Sequence, residues 1–454
     1  MTFDEALAYM SSLLRFGWKP GLNRIRELCR LVGDPQKKYR TIHITGTKGK
    51  GSTTAMVAAI LSAHGFKTGS YFSPYVYDVC ERAQVDGTPI DRQELAALVT
   101  LLQKPIDAIA QTDLGQVTEF ELKTALGFLF FARHQVDWAS IEVGLGGRLD
   151  ATNIIEPSST VITNIGLDHT EILGDTHSAI AYEKAGIIKA GIPTITAARN
   201  EEALEVIERT AAQRGSTLTK VMEVAHTPVI NRDGHVEWAS SPCGDRNISP
   251  VSVATSHHVY RDVQISLQGA YQRENAACAI AAVEQALLAH GIAPNPDAVR
   301  HALATCYLPG RMETYALPGG SQLILDGAHN LMAAQALIPA VTALMKRSDL
   351  QKLVVVAGML NGHDPDEFMR TIAPFASRVY CCAPKWKRAR PADEIAIAAR
   401  KYCDDVVVYD DVRDAALSAM SNAGAGTLVL ITGSFYTVGE CAAIRPSSSL
   451  HGSV

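Results

Sequence analysis

The sequence predicts an α/β protein built from two doubly wound domains. Three observations predict it. Short runs rich in β-branched residues alternate with helical patterns along nearly the whole chain, as a mostly parallel sheet covered by helices requires. The 454 residues suffice for two or three domains. The alternation halts and restarts around "YLPGRMETY" (307–315), where Pro309 and Gly310 read as a linker.

In order, "TIHIT" (41–45) reads as a buried strand and 52–64 as a helix with Met56, Ala59, Ile60 and Ala63 on one face. "WASIEVG" (138–144), "TVITNIG" (160–166) and "IPTITA" (192–197) read as further strands, with helical patterns at 118–134 and 176–190. From 217 to 268 come short alternating stretches such as "HVEWAS" and "VYRDVQISL", broken by Gly, Asp, Asn and Pro. They predict a small antiparallel β patch attached to the first domain. A helix returns at 272–290. Past the linker, "SQLILDGA" (321–328), "KLVVVAG" (352–358), "RVYCCAP" (378–384), "DVVVYD" (405–410) and "TLVLITGS" (427–434) are strands with helices between. The expectation is a P-loop-containing doubly wound N-terminal domain with an antiparallel patch (1–307), then a smaller Rossmann-like α/β C-terminal domain (308–454). The tail "RPSSSLHGSV" reads as disordered.

Composition excludes several classes. A net charge of −5 gives no electrostatic case for nucleic acid or an anionic membrane. The basic run "KWKRAR" (Lys385–Arg390) is the local exception; it reads as a solvated face or as a contact for an acidic substrate tail. Nine cysteines without CxxC spacing read as reduced thiols, neither a disulfide frame nor a zinc site. The start "MTFDEALAYM" has no signal pattern, and no apolar run reaches the roughly 18 residues of a membrane helix. A cytoplasmic monomer is expected.

The chemistry gathers at "GTKGKGST" (Gly46–Thr53), between a strand and a helix. That geometry cradles phosphate: backbone N–H groups and a helix N-terminus attract the anion, and a lysine adds a point charge. The loop departs from the general pattern. Two residues separate Gly46 from Gly49, and Gly51 intervenes between Lys50 and Ser52. The reading is that Lys50 contacts the β/γ-phosphates, with Ser52 or Thr53 close to Mg²⁺. No Asn-Lys-x-Asp guanine signal occurs, which disfavours a GTPase.

"HITGTKGKGST" resembles the P-loop of the folylpolyglutamate synthase and dihydrofolate synthase family, within the Mur ligase superfamily. The resemblance continues in order through "SPYVYDVCERAQVDG" (73–87), "FELKTALGFLFF" (120–131), "EVGLGGRLDATN" (142–153), "TNIGLDHTEILG" (163–174), "EKAGIIKAGIP" (183–193), "GAYQRENAA" (269–277), "LPGRME" (308–313), "LDGAHN" (325–330) and "TGSFYTVGE" (432–440). It implies an ATP-dependent ligase that adds L-glutamate to folates or dihydropteroate through an acyl phosphate.

It also implies residue roles. Gly46, Thr47, Lys48, Gly49, Lys50, Gly51, Ser52 and Thr53 would hold ATP, with Asn275, Arg311 and Asp326. Glu142 stands at a strand's carboxyl end, where doubly wound folds bind ligands. By resemblance Glu142 holds Mg²⁺ with Ser52 and Ser73, and His169 holds a second Mg²⁺ with a carbamylated Lys184. Lys189 is the competing lysine, and an ion pair with Glu183 the plain alternative for Lys184. Phe120, Asp150 and Ala151 match the pterin site. His329 and Ser434, with Asp326 nearby, match the site of incoming glutamate; Lys50, Lys184, Asp326 and His329 would be the catalytic set. Two departures from the family pattern are Tyr271, where histidine is common, and His363-Asp364, where Lys-Asp is usual. The rivals are a Mur-type ligase acting on another carboxylate and a non-catalytic nucleotide-binding protein of the same fold.

Overall fold

The computed structural model describes residues 1–16, 19–225, 227–230, 234–240 and 250–446. The tail expected to be disordered lies, from 447 on, outside the described residues.

Eleven strands form the first sheet: β1 (Arg40–Thr45), β2 (Thr68–Tyr71), β3 (Ala83–Val85), β4 (Thr88–Pro89), β5 (Trp138–Glu142), β6 (Ser159–Ile162), β7 (Thr194–Thr196), β8 (Leu218–Glu223), β9 (His235–Ser240), β10 (Val251–Ala254) and β11 (Val259–Val263). Their order is β11-β10-β9-β8-β7-β6-β1-β5-β2-β3-β4. From β9 through β2 every pairing is parallel. Both edges turn antiparallel. The antiparallel patch expected over 217–268 is present as β9, β10 and β11. It continues the main sheet, and its first pairing, β8 with β9, is parallel. In "HVEWAS" Val236 and Trp238 share one core face and Glu237 opposite is buried as well, and alternation says nothing about strand direction.

Period-two alternation splits the strands between two cores. Ile42 and Ile44 of β1 pack with Met56, Val57 and Ile60 of the helix Lys50–Ala63 and with the alanine-rich helix Gln272–Ala289. Ala139 and Ile141 of β5 face the opposite side, against Leu98, Phe128 and Phe131 of the helices Arg92–Ala110 and Glu119–Arg133.

The second sheet holds β12 (Glu313–Ala316), β13 (Gln322–Leu325), β14 (Lys352–Gly358), β15 (Arg378–Cys382), β16 (Val406–Val408) and β17 (Thr427–Thr432), ordered β12-β13-β17-β14-β15-β16. All its pairings are parallel except β12 with β13. β12 corrects the linker reading, because regular structure resumes at Glu313. Pro309 and Gly310 mark where the chain turns, and the "ETYA" that follows pairs with "QLIL".

The eight described cysteines are all free and buried. Among the described residues no helix is long and apolar enough to cross a membrane.

Candidate active site

Parallel strands end together, so their loops converge. Ile44 pairs with Glu142 and Thr45 with Ile162, which brings the loop after β1, the end of β5 and the segment after β6 to one edge of the sheet.

The loop after β1 is bolted to the segment after β6. Thr47 N–H donates to Asn164 O (2.9 Å) and Lys48 N–H to Asn164 Oδ1 (2.8 Å). Thr163 Oγ1 donates to Lys48 O (2.6 Å), and Thr47 Oγ1 to Gly166 O (3.1 Å). Two glycines make the approach possible. A Cβ on Gly46 would stand 1.8 Å from Thr163 Oγ1, and one on Gly49 2.3 Å from Asn275 Oδ1; φ is 151° and 84° at these positions. The first helical bond is Thr53 N–H to Gly49 O (2.9 Å). The N–H groups of Lys50, Gly51 and Ser52 precede that ladder and stand available to an anion.

Lys50 Nζ donates to Gly46 O (3.0 Å) and Thr47 O (3.3 Å), and Lys184 Nζ donates to the same Gly46 O (2.9 Å). Burial lowers both lysine pKa values; beside Lys184 the Lys50 charge adds to the effect. Lys189 bonds Asn153 O instead (2.9 Å), and Glu183 pairs with Arg148 (2.8 Å). Lys184 is thus the lysine that reaches the phosphate loop, and it does not pair with Glu183. It sits behind the loop and does not line the cleft.

Glu142 is buried at the end of β5 and accepts from Ser73 N–H (3.0 Å). Burial pushes its carboxyl up to about 7, against the pull of the Lys50 ammonium. Lys48 pairs with Asp168 (2.9 Å). Although burial alone would raise the Asp168 pKa, the Lys48 charge holds it well below the carboxylate range.

The other lobe supplies the facing wall of a cleft of 410 Å³. Arg311 lies over the Phe435 ring (4.6 Å). Asp326, buried, accepts from Met312 N–H and Ala328 N–H (2.9 Å each). His329 Nδ1–H donates to Gly327 O (2.8 Å), which leaves Nε2 as a bare acceptor. Burial, then the nearby Lys48, pushes His329 down to about 3, so the ring is neutral.

Of the residues singled out in the sequence, the cleft unites Thr47, Lys48, Gly49, Lys50, Gly51, Ser52, Ser73, Glu142, His169, Asn275, Arg311, Asp326, His329 and Ser434. Several have further engagements. Asn275 packs on Gly49 and donates to Gln272 Oε1 (2.9 Å), while Gln272 Nε2 donates to Ser52 Oγ (3.3 Å), so Asn275 braces the phosphate loop. Ser434 caps the helix Phe435–Glu440 through Thr437 N–H (3.0 Å). Thr53 is fully buried with its hydroxyl unpartnered.

Phe120, Asp150 and Ala151 line a second cavity of 520 Å³. Asp150 accepts from Thr152 N–H (2.9 Å), Thr152 Oγ1 (2.5 Å) and Leu145 N–H (2.9 Å). These bonds clamp the loop 144–152 and set the carboxylate in the wall of that cavity. Phe120 seats its ring tip against Gly144, where a Cβ would stand 2.3 Å from Cζ.

Asn164, Asp168 and Gln272 escaped the sequence reading, although each lies inside a motif quoted for its neighbour. His363 departs from the family pattern in sequence. Its ring lies 5.1 Å from that of His329, and it lines the cleft.

The comparisons agree with this geometry. Residues 44–283 match the Mur ligase middle domain and 310–435 the Mur ligase glutamate ligase domain. The two halves together define a Mur-type ligase, the class that joins a carboxylate to an amine with ATP. The dihydrofolate synthase/folylpolyglutamate synthase of Bacillus subtilis is 35% identical over 439 residues, 96% of this chain and 98% of that one. The folylpolyglutamate synthase of Mycobacterium tuberculosis complexed with ADP and AMPPCP superposes with a TM-score of 0.85 at 29% identity, covering 98% of this chain and 100% of that one. Escherichia coli FolC in complex with DHPP and ADP gives 0.81 at 28% identity, covering 98% and 97%. The chain belongs to the folylpolyglutamate synthase/dihydrofolate synthase family.

Proposed function

We propose that the protein joins L-glutamate to a pterin-bearing carboxylate, dihydropteroate or a folate, through an acyl phosphate formed from ATP. The cleft carries the reading: a phosphate loop on one lobe faces an arginine, an aspartate and a neutral histidine on the other. Joining a carboxylate to an amine in water is uphill. Phosphorylation turns a carboxylate oxygen into a leaving group, and the protein must neutralise phosphate charge and exclude water. The N–H groups of Lys50 to Ser52 and the ammonium groups of Lys48 and Lys50 meet the triphosphate, and the planar Arg311 fork reaches it from the connecting segment. Asp326 and the bare Nε2 of His329 orient the glutamate ammonium, whose amine displaces phosphate. Residues 1–307 and 308–454 act as two domains that close on the substrates. The protein does this as a cytoplasmic monomer.

Two Mg²⁺ ions belong to it. Ser52, Ser73 and the single Glu142 carboxylate form a sparse hard-oxygen set. Mg²⁺ takes such a set when water and phosphates complete its shell. Among the described residues no three His, Cys, Asp or Glu gather into a closed metal site. When bound, Mg²⁺ withdraws charge from the phosphates. A second ion beside His169 needs one more oxygen anion. A carbamate on Lys184 would supply it once that side chain leaves Gly46 O and turns toward the cleft; burial and the Lys50 charge favour the neutral amine that adds CO₂.

Mass spectrometry of products from dihydropteroate and from a reduced folate, each with ATP, Mg²⁺ and glutamate, tests the reading. Products heavier by glutamyl residues are expected; unchanged substrates in both reactions contradict it.

A further inference from the structure

The cleft and the second cavity meet at a neck. They share Ser73, Gly144, Leu360, Arg388 and Tyr436, and Arg388 is the one cation in that set. Arg388 belongs to the basic run 385–390 that the assigned chemistry leaves unused.

The run divides by partner. Lys385 pairs with Asp411 (2.6 Å) and Arg390 with Glu394 (2.5 Å). The guanidinium of Arg388 reaches only the carbonyl of Asn361, at a long 3.4 Å, among the bonds of the described residues. The acids lining the second cavity are committed elsewhere. Glu119 pairs with Lys123 (2.5 Å), Glu121 with Arg24 (3.1 Å), and Asp150 clamps its own loop. The strap beneath Arg388 is held on both sides. Asn361 N–H donates to Arg388 O (2.8 Å), Arg390 N–H to Met359 O (2.9 Å) and Ala389 N–H to Trp386 O (2.8 Å). The Trp386 ring stacks on Tyr436 (4.7 Å between centroids, 24° between planes). A planar five-donor cation is therefore presented at the neck on a fixed backbone.

A pteroylglutamate with its aromatic end beside Phe120 and its γ-carboxylate in the cleft must pass its α-carboxylate through this neck. A guanidinium fork matches a carboxylate with two parallel hydrogen bonds. A pteroate carries its reacting carboxylate on the benzoyl ring and has no α-carboxylate to offer. We infer that Arg388 binds the α-carboxylate of the glutamyl residue whose γ-carboxylate reacts, and thereby selects glutamyl-bearing folates. The inference rests on the ligase reading above.

The test compares tetrahydropteroylmonoglutamate with its α-carboxamide on wild-type protein and on Arg388→Met, which keeps the apolar stem. Equilibrium binding by calorimetry and ADP release with ATP, Mg²⁺ and glutamate are read in parallel. Wild type is expected to prefer the α-carboxylate by roughly tenfold to a hundredfold, the range of a lost charge-assisted pair. Arg388→Met is expected to bind both compounds alike at an unchanged melting temperature, and Arg388→Lys to regain part of the preference. A wild type without preference, or an Arg388→Met that keeps it, overturns the inference. Binding preference without ADP release contradicts the ligase reading and leaves the role of Arg388 supported.

Discussion

Lys50 and Lys184 donate to one carbonyl oxygen, that of Gly46, at 3.0 and 2.9 Å. Two ammonium groups so close repel, and burial penalises both charges, so one of them is better neutral. Lys184, the deeper, has its pKa lowered well below the usual value. The carbamate proposed for Lys184 is directly testable. Protein equilibrated with ¹³C-bicarbonate is expected to give a carbamate carbon resonance that Lys184→Arg lacks. The variant is expected to lose about a hundredfold or more in turnover, as when a transition-state charge contact is removed. Identical spectra from both proteins would exclude the modification.

Glu142 gives a pH signature. Burial raises its pKa from 4.5 to about 7. Between those values the folded protein holds a proton that the unfolded chain has released, so this group's stabilisation is full below 4.5 and lost as pH rises through 7. Chemical unfolding of wild type is expected to lose on the order of 3 kcal/mol across that window relative to Glu142→Gln. Metal binding has the opposite slope, because Mg²⁺ needs the ionised carboxylate. Thermal stabilisation by Mg²⁺ and ATP should therefore grow as pH rises through 7. A pH-independent difference between wild type and variant would contradict this.

The lobes are latched by a buried acid. Glu313, fully buried, accepts from the hydroxyls of Tyr77 (2.6 Å), Tyr307 (2.5 Å) and Tyr315, and from Gly310 N–H (3.0 Å). Burial alone would raise its pKa, yet these donors hold it below the usual value. Its contribution is present above pH 4.5 and falls away as pH drops through the folded pKa. Tyr77→Phe removes a bond between the lobes and should cost about 1.5–3 kcal/mol, the range for a hydrogen bond to a charged group. Urea unfolding measures it; an unchanged midpoint would mean that the bond contributes nothing.

The phosphate loop tolerates no side chain at Gly49. Gly49→Ala puts a methyl group 2.3 Å from Asn275 Oδ1 at a φ of 84°. The left-handed backbone costs about 1–2 kcal/mol in itself, and the displaced Asn275 releases its brace on the loop. Nucleotide affinity, measured by fluorescence titration, is expected to fall at least tenfold while the far-ultraviolet spectrum stays unchanged. Wild-type affinity would contradict the loop's role.

What was legible in the sequence was local. "TIHITGTKGKGST" carries strand, glycine turn and helix within one stretch, and Glu142 ends a run of buried residues, so strand, loop and edge position could be read directly. β2 could not. "TGSY" has no alternation and carries a glycine; it is a strand because Gly69 and its neighbours pair with β5. The Lys48–Asp168 pair and the Tyr77–Glu313 bond join residues far apart in the chain, and no spacing encodes them. Asp150 could be found in sequence, but its bonds to Thr152 and Leu145 only in the fold.

The central claim is that ATP in the inter-lobe cleft activates a carboxylate for attack by glutamate. Steady-state ADP release, with each component omitted in turn and repeated with Lys50→Ala, tests it most directly. The account predicts release only when ATP, Mg²⁺, a folate-class carboxylate and glutamate are all present, and a drop of roughly a hundredfold or more for a folded Lys50→Ala. ADP release that ignores the carboxylate and glutamate, or that survives in Lys50→Ala, would contradict it.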